Sequence, residues 1–141
     1  MELQATSQAF DFPADCLPDK VRYVGPIISD PYWARDWTSP WEPSDPRPLV
    51  AVGFSTTFQN HTAVLQRILD ALAPLPARVL VTLGGAISPD QLQAPENCVL
   101  VASAPHTVVM AEAALTITHG GHGTVMRALV HPRQRGHQDE A

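Results

Sequence analysis

Two histidines and three glycines lie close together in residues 118–124, which read THGGHGT. A β-branched run precedes them and an apolar, helix-like pattern follows, so they fall between a predicted strand and a predicted helix. The N-terminus of a helix favours anions, because it carries unpaired N–H groups and a partial positive charge. Glycines at 120, 121 and 123 would let the backbone approach such an anion closely. We therefore expect the N–H groups of residues 121 to 124 to bind phosphate oxygens.

Side chains of the same stretch can add hydrogen-bond donors. Thr124 offers a hydroxyl and His119 an imidazole N–H, and a hydrogen bond to a charged group contributes roughly 1.5–3 kcal/mol. One alternative is a tight turn that satisfies chain geometry alone, since a glycine pattern is a weak signal. A zinc site is another, although His119 and His122 lack a third ligand at a fixed spacing. Three further histidines are expected to be solvated surface residues: His61, His131 and His137.

The elements that would position this turn begin at residue 48, where short apolar runs alternate with helical patterns. We expect strands at 48–54, 78–83, 98–103 and 114–118, helices at 63–72 and 106–113, and a last helix starting at 125–130. Asn60 or Thr62 is the expected N-cap of the first helix. Strands that are apolar on both faces and alternate with helices indicate a parallel sheet. The expected fold class is α/β, an incomplete Rossmann-like parallel sheet of about four strands with a Pro-rich N-terminal arm.

Three polar segments fall at one edge of this expected sheet. Ligands bind at the carboxyl ends of the strands in such folds. The segments 55–57, 103–106 and 119–124 follow the first, third and fourth strands. The sequence therefore predicts one pocket at that edge.

The N-terminal arm, residues 1–47, is rich in proline and has no long periodic segment. We expect it to be extended and loop-rich rather than part of a domain core. It contains all three tryptophans of the chain, and their expected role is to attach the arm to the globular part by burying area: Trp33, Trp37 and Trp41.

Composition excludes several classes of protein. A formal net charge of -5, with scattered arginines, argues against binding to nucleic acid or to an anionic membrane. No run reaches the ~18 apolar residues of a membrane span, and the first residues lack a signal-peptide pattern, so a cytoplasmic location is expected. Cys16 and Cys98 lie far apart and indicate buried thiols rather than a metal site or a disulfide.

Other phosphate-binding folds fit poorly. The chain has no GxxxxGK[ST] motif, so a P-loop is not expected. The first strand leads into GFSTT rather than G-x-G-x-x-G, which disfavours a nicotinamide-dependent dehydrogenase.

The stretch SAPHTVVMAEAALTITHGGHGTVMRAL resembles the donor-binding signature of GT-B glycosyltransferases that use nucleotide-diphospho sugars. It is most similar to the bacterial macrolide and natural-product branch of the UDP-glycosyltransferase superfamily. The loop FSTTFQ and the arm segment FDFPADCLPDKVRYVGPIISDPYW match further motifs of that family in the same order. The resemblance runs from about Phe10 to Leu129.

The resemblance implies a role for each motif. The A-P-H segment would contact the base, the THGGHGT turn would hold the diphosphate, and the loop after the first strand would lie near the phosphates. His119 and the turn amides would neutralise charge on the leaving nucleoside diphosphate. The implied donor-binding residues are Ser55, Thr56, Thr57, Ser103, Ala104, His106, His119, Gly120, Gly121, His122, Gly123 and Thr124.

The resemblance also implies how the chain is divided. Residues 1–47 would be the end of an N-terminal domain and the interdomain linker, residues 48–130 a partial donor-binding domain, and residues 131–141 an atypical tail. The acceptor domain, which carries the family's general base, would be missing from this truncated chain, so no catalytic residue is assigned. In the family's strand order the fourth strand lies beside the first, which would leave residues 115–118 as an exposed edge.

The expected function is that of a glycosyltransferase (hexosyltransferase) fragment. It would bind a UDP- or dTDP-sugar for transfer to a small-molecule aglycone acceptor, without a metal ion or a further cofactor. Alternatives are a non-catalytic nucleotide-sugar binding module and a split enzyme that needs a separate acceptor-domain subunit.

Overall fold

The computed structural model describes residues 1–12, 16–30, 37–54, 61–85 and 87–131. Two short 3-10 helices, Gln8–Phe10 and Pro89–Gln91, accompany the regular elements of these ranges. In chain order the regular elements are β1 (Glu2–Gln4), β2 (Val21–Tyr23), β3 (Leu49–Gly53), α1 (Thr62–Leu72), β4 (Arg78–Thr82), β5 (Cys98–Val101), α2 (His106–Glu112), β6 (Leu115–Thr118) and α3 (His122–Val130).

Four strands form the main sheet, in the order β5-β4-β3-β6. All pairs are parallel, and Val50 of β3 lies opposite Val79 of β4 and Leu115 of β6. Every residue of β3 and β4 is buried, because helices cover both faces of the sheet centre. The predicted α/β fold class and the placement of the fourth strand beside the first are confirmed. Within the described residues β6 is an edge strand, and Leu115 at its start is 53% exposed.

One face of the sheet packs against α1. Leu65, Leu69 and Leu72 recur at the spacing of one helical face and are buried. They join Val50, Val52 and further side chains in a first core cluster. Full burial of a side chain of this size contributes about 1.5–3 kcal/mol, so this face is a main source of stability.

The opposite face packs against α2. Successive side chains of a strand point to opposite faces, so Leu49 and Ala51 of β3 lie on this side. Together with Leu80 of β4 and with Val109 and Ala113 at the end of α2, they form a second core cluster. The sheet is therefore the middle layer of three.

Two helix starts differ from the sequence predictions. α3 begins at His122 rather than at 125, because the N–H groups of Thr124 and Val125 already bond to the carbonyl of Gly121. Thr62 is the first residue of α1 and not its cap, since the preceding His61 occupies that position without a side-chain capping bond. The other proposed cap, Asn60, lies outside the described residues.

The N-terminal arm contains a small sheet that the sequence did not predict. β1 and β2 pair in parallel, with Glu2 opposite Val21. Each strand has only three residues and mixes polar with apolar side chains, so neither gives a periodic signal. Trp37 and Trp41 pack against the second core cluster, which confirms that tryptophans attach the arm to the globular part. Trp33 lies outside the described residues.

The two cysteines differ in their surroundings. Cys98 begins β5 and is buried, and burial raises the pKa of its thiol to about 11. Cys16 is exposed, so the expectation of two buried thiols is wrong for this residue, which lies in the arm. In the part of the chain that the structure describes, no helix is long and apolar enough to cross a membrane.

Candidate functional site

The carboxyl ends of three strands meet at one edge of the main sheet. Gly53 ends β3 and lies in register with Thr82 of β4 and Thr118 of β6. A Cβ on Gly53 would lie 3.6 Å from Thr124 Cγ2, 3.6 Å from Thr82 Oγ1 and 3.7 Å from His106 Cε1. His106 and Thr124, which the sequence assigned to separate motifs, therefore both lie next to Gly53. Because glycine has no side chain, the space beside its Cα is not filled by a Cβ.

His106 is the first residue of α2 and is half-buried. Its Nε2 lies 3.4 Å from the hydroxyl of Thr82, which in turn lies 3.4 Å from the carbonyl oxygen of Val52. Burial and the positive charge of Arg127 lower the pKa of His106, and the negative charge of Asp30 opposes them. The imidazole is therefore neutral at pH 7 and can donate or accept a hydrogen bond.

The turn before α3 depends on its glycines. Gly120 has a φ of +86°, a left-handed conformation that side chains disfavour, and its N–H donates to Thr118 Oγ1 over 3.3 Å. A Cβ on Gly121 would lie 2.7 Å from Nε2 and 2.8 Å from Cε1 of His119. A side chain at position 121 would therefore displace the ring of His119 from the place it occupies beside this backbone.

The N-terminus of α3 has amide groups that are available to a ligand. No described residue accepts a hydrogen bond from the N–H groups of Gly121, His122 or Gly123. The N–H of Thr124 donates to the carbonyl of Gly121 over 3.1 Å, so the expectation that it binds phosphate is wrong. Its hydroxyl remains a candidate donor. Three backbone donors thus point out of the helix start beside His119.

His119 belongs to a group of three rings at this edge. Its ring centroid lies 5.8 Å from that of Phe54 and 6.0 Å from that of His61, and the Phe54 and His61 rings meet edge-on at 5.2 Å. His119 is exposed, whereas His61 is half-buried at the start of α1. The prediction that His61 is a solvated surface residue is wrong, because α1 begins close to the end of β3.

The other two histidines of that prediction lie at the end of the chain. His131 is half-buried and its Nε2 is buried without a hydrogen-bond partner among the described residues, so the prediction is wrong for it as well. His137 lies outside the described residues.

His122 contacts the arm. Its Nε2 lies 3.0 Å from the hydroxyl of Thr6, and its ring centroid lies 6.2 Å from that of Phe10. The side chain is exposed. Its assignment to donor binding stays a prediction.

The remaining assigned residues have different surroundings. Ala104 is 5% exposed and packs in the second core cluster, so a ligand would meet its backbone rather than its methyl group. Ser103 is exposed at the same loop. The three residues assigned after β3, Ser55, Thr56 and Thr57, lie outside the described residues.

Asp30 of the arm contacts residues of both α2 and α3, and the sequence analysis assigned it no role. Its carboxylate accepts hydrogen bonds from the N–H of Thr107, over 3.0 Å, and from the Thr107 hydroxyl. It also lies 3.6 Å from Nε of Arg127. The other two guanidinium nitrogens of Arg127 donate to carbonyls, Nη1 to Gly123 over 2.9 Å and Nη2 to Ser29 over 2.8 Å. An anion from the arm thus already occupies the N-terminus of α2, whereas no described residue accepts a hydrogen bond from the first amides of α3.

Phe54, His61 and Thr82 were also missed by the sequence analysis. Phe54 and Thr82 could have been found, because they end or follow strands whose carboxyl ends meet at this edge. His61 could have been found from its place at the start of the helix that follows β3.

Two further observations concern metal binding and a second cavity. In the described ranges no group of three or more His, Cys, Asp or Glu side chains could hold a metal ion. A cavity of about 440 Å³ lies at the other end of the sheet, where β4 begins, and Trp41, Arg78 and Glu112 are among its lining residues. It is separate from the edge that holds the assigned motifs.

Comparison with known proteins places the chain among glycosyltransferases. No family model matches it. It is 28% identical over 123 residues to demethyllactenocin mycarosyltransferase of Streptomyces fradiae, a match that covers 86% of this chain and 26% of that protein. It is 30% identical over 132 residues to 4'-demethylrebeccamycin synthase of Lentzea aerocolonigenes, with 92% of this chain and 30% of that protein covered.

A solved structure gives the same result. The crystal structure of CalG4, the calicheamicin glycosyltransferase, superposes with a TM-score of 0.65 at 27% identity and covers 82% of this chain and 28% of that one. The chain thus spans less than a third of the length of these relatives. By its motifs, its fold and these relatives, the chain belongs to the GT-B glycosyltransferases of natural-product type.

Proposed function

We propose that this chain binds the diphosphate of a nucleotide-diphospho sugar where β3, β4 and β6 end, as the donor-binding part of a glycosyltransferase. One observation carries the proposal: His106 and Thr124 meet around Gly53. The open amides at the start of α3 lie in the same turn as Thr124, so backbone and side-chain donors lie together. A diphosphate is the ligand that such a set of donors at a helix N-terminus fits.

Each group would have a separate part in this site. The N–H groups of residues 121–123, the His119 ring and the Thr124 hydroxyl would donate to phosphate oxygens, and neutral His106 would lie towards the base. During transfer the acceptor oxygen bonds to the anomeric carbon while the bond from that carbon to the diphosphate oxygen breaks. Preorganised donors would then stabilise the charge that develops on the leaving diphosphate, without a metal ion.

The donor would be a UDP- or dTDP-sugar and the acceptor a small-molecule aglycone. The names of the two relatives, a mycarosyltransferase and a rebeccamycin-type synthase, support this substrate class. Because the chain spans under a third of their length, we propose that an acceptor-binding domain completes the site. That domain would lie on the same polypeptide or on a separate subunit, and it would supply the group that deprotonates the acceptor. A cytoplasmic location belongs to the same proposal.

Calorimetric titration with UDP and dTDP tests the donor site. We expect one of the two diphosphates to bind, and His119→Ala to weaken its binding about tenfold or more, since a hydrogen bond to a charged group is lost. His131→Ala is the matched control, because this histidine lies at the far end of α3 and should leave the affinity unchanged. Absence of binding by both diphosphates, or equal affinity of His119→Ala and the unchanged chain, would contradict the proposal.

A transfer assay with the same protein separates the enzyme from a binding module. Incubation with a UDP- or dTDP-sugar and an aglycone, with and without an added acceptor domain, is followed by mass spectrometry of the aglycone. Transfer only with the added domain would identify a split enzyme. Binding of the diphosphate without transfer under either condition would identify a nucleotide-sugar binding module.

A further inference from the structure

His61 lies outside every motif of the sequence analysis, yet its ring lies beside that of His119, the residue that we propose donates to the diphosphate. It precedes α1 directly and is half-buried. Its ring meets that of Phe54 edge-on, at 5.2 Å and 81°, and that of His119 at 6.0 Å and 47°. Aromatic pairs in this distance range attract each other, so His61 restrains the ring beside it.

Phe54 fixes the group of rings to the protein. It is half-buried, packs against the first core cluster and lies 5.8 Å from the His119 ring. Since Phe54 packs against the core and His61 directly precedes α1, rings from two parts of the fold lie beside that of His119.

The backbone of Gly121 also lies close to the His119 ring. The position of an added Cβ, only 2.7 Å from His119 Nε2, shows how closely ring and backbone approach. His119 is nevertheless exposed, so a ligand can reach it. An exposed side chain that is not held in place samples several rotamers, and ordering it on binding costs conformational entropy.

We propose that His61 is a positioning residue, whose ring, together with Phe54, holds His119 in the orientation that donates to a diphosphate. This inference rests on the proposed diphosphate site. His61 acts through His119 and does not itself touch the ligand, so its contribution depends on the presence of the His119 ring.

A double-mutant cycle, measured by calorimetric titration of the full chain with UDP and dTDP, tests the proposal. We expect His61→Ala to weaken binding about two- to tenfold, the range that corresponds to the loss of an aromatic pair. In a His119→Ala background, His61→Ala should cause no further loss. His61→Phe keeps a ring but no nitrogen, and should bind within about twofold of the unchanged chain.

Proton NMR of the histidine rings gives a readout that a general loss of stability would not produce. His61→Ala should shift the ring signals of His119 and leave those of His131 unchanged, whereas His61→Phe should shift the His119 signals less. Because His61→Phe retains the packing, it keeps the test valid if the alanine variant folds poorly.

Three results would overturn the inference: unchanged affinity of His61→Ala, equal losses in His61→Phe and His61→Ala, or additive losses in the double mutant. The second would mean that His61 itself donates to the phosphate. If the proposed diphosphate site itself is wrong, the result differs, because His119→Ala would then bind UDP or dTDP with the same affinity as the unchanged chain. If His119→Ala weakens binding and His61→Ala does not, only the positioning role fails.

Discussion

Replacing Asp30 with alanine tests whether the N-terminal arm holds α2 and α3, the two helices that flank the site. The carboxylate accepts a hydrogen bond from the N–H of Thr107 over 3.0 Å and lies 3.6 Å from Nε of Arg127. The Asp30 and Arg127 side chains are only 10% and 15% exposed. Asp30→Ala therefore removes one carboxylate that has two roles: it is the anion at the N-terminus of α2, and it lies beside a nearly buried guanidinium.

The expected size of the effect follows from these contacts. Loss of a carboxylate that caps a helix costs about 1 kcal/mol. Breaking a buried ion pair costs about 3–5 kcal/mol, but Arg127 keeps its bonds to the carbonyls of Gly123 and Ser29, so only part of this applies. Because Nε of Arg127 lies 3.6 Å from Asp30 without a hydrogen bond, we expect loss of this charge partner to add about 1–2 kcal/mol, less than the full cost of a broken buried pair. We expect Asp30→Ala to lower the free energy of unfolding by about 2–3 kcal/mol and Asp30→Asn, which keeps an acceptor for Thr107, by about half as much.

Urea denaturation followed by circular dichroism measures the loss. Asp19→Ala is the matched control, because Asp19 is an exposed carboxylate of the same arm, and we expect it to change the free energy of unfolding by less than about 0.5 kcal/mol. If Asp30→Ala unfolds at the same urea concentration as Asp19→Ala, the arm does not hold α2 and α3 in place.

Three further predictions follow from single contacts. Gly121→Ala should fold but bind the nucleoside diphosphate about tenfold more weakly in calorimetry. The reason is that a Cβ 2.7 Å from His119 Nε2 would displace that ring. Unchanged affinity would refute the geometry of the turn. Burial lowers the pKa of His106 below its ordinary 6.5, so the unfolded chain takes up the proton first and stability should fall as pH decreases below about 6.5. The urea midpoint of His106→Gln should depend less on pH over that range, and equal slopes would count against a buried neutral imidazole. Alkylation at about pH 8 should label Cys16 alone in the native protein and both cysteines in urea. The buried thiol of Cys98, with a pKa of about 11, forms little thiolate at that pH. Labelling of Cys98 in the native protein, detected by mass spectrometry, would contradict its burial.

Much of the fold could be predicted because its signals are local. The apolar runs that became β3 and β4 are buried on both faces, and the Leu65, Leu69 and Leu72 spacing gave α1 its buried side. The start of α3 and the short strands β1 and β2 were not predicted correctly. A three-residue strand carries too little periodicity to be distinguished from a loop, and a helix start depends on backbone bonds that a hydrophobic pattern does not record.

The candidate site divides in the same way. The motif residues His106, His119 and Thr124 could be assigned to a site because their types and spacing are recorded in the sequence, as is the glycine-rich turn between strand and helix. The contacts that Asp30 and His61 make near them could not be predicted. Asp30 lies 77 residues from Thr107 along the chain, and such a contact forms only when separate elements pack.

The sequence by itself thus determined the order of the strands and helices from β3 to α3, the family of the chain and the motif residues that are proposed to bind a diphosphate. The tertiary structure decided which helix start stays open to a ligand, because Asp30 occupies the N-terminus of α2 and no described residue accepts from the first amides of α3. It also places the ring of His61 beside that of His119, since the end of β3 and the start of α1 lie beside the end of β6. Local periodicity and turn chemistry act over a few residues, whereas these choices depend on contacts that only the packed sheet and helices create.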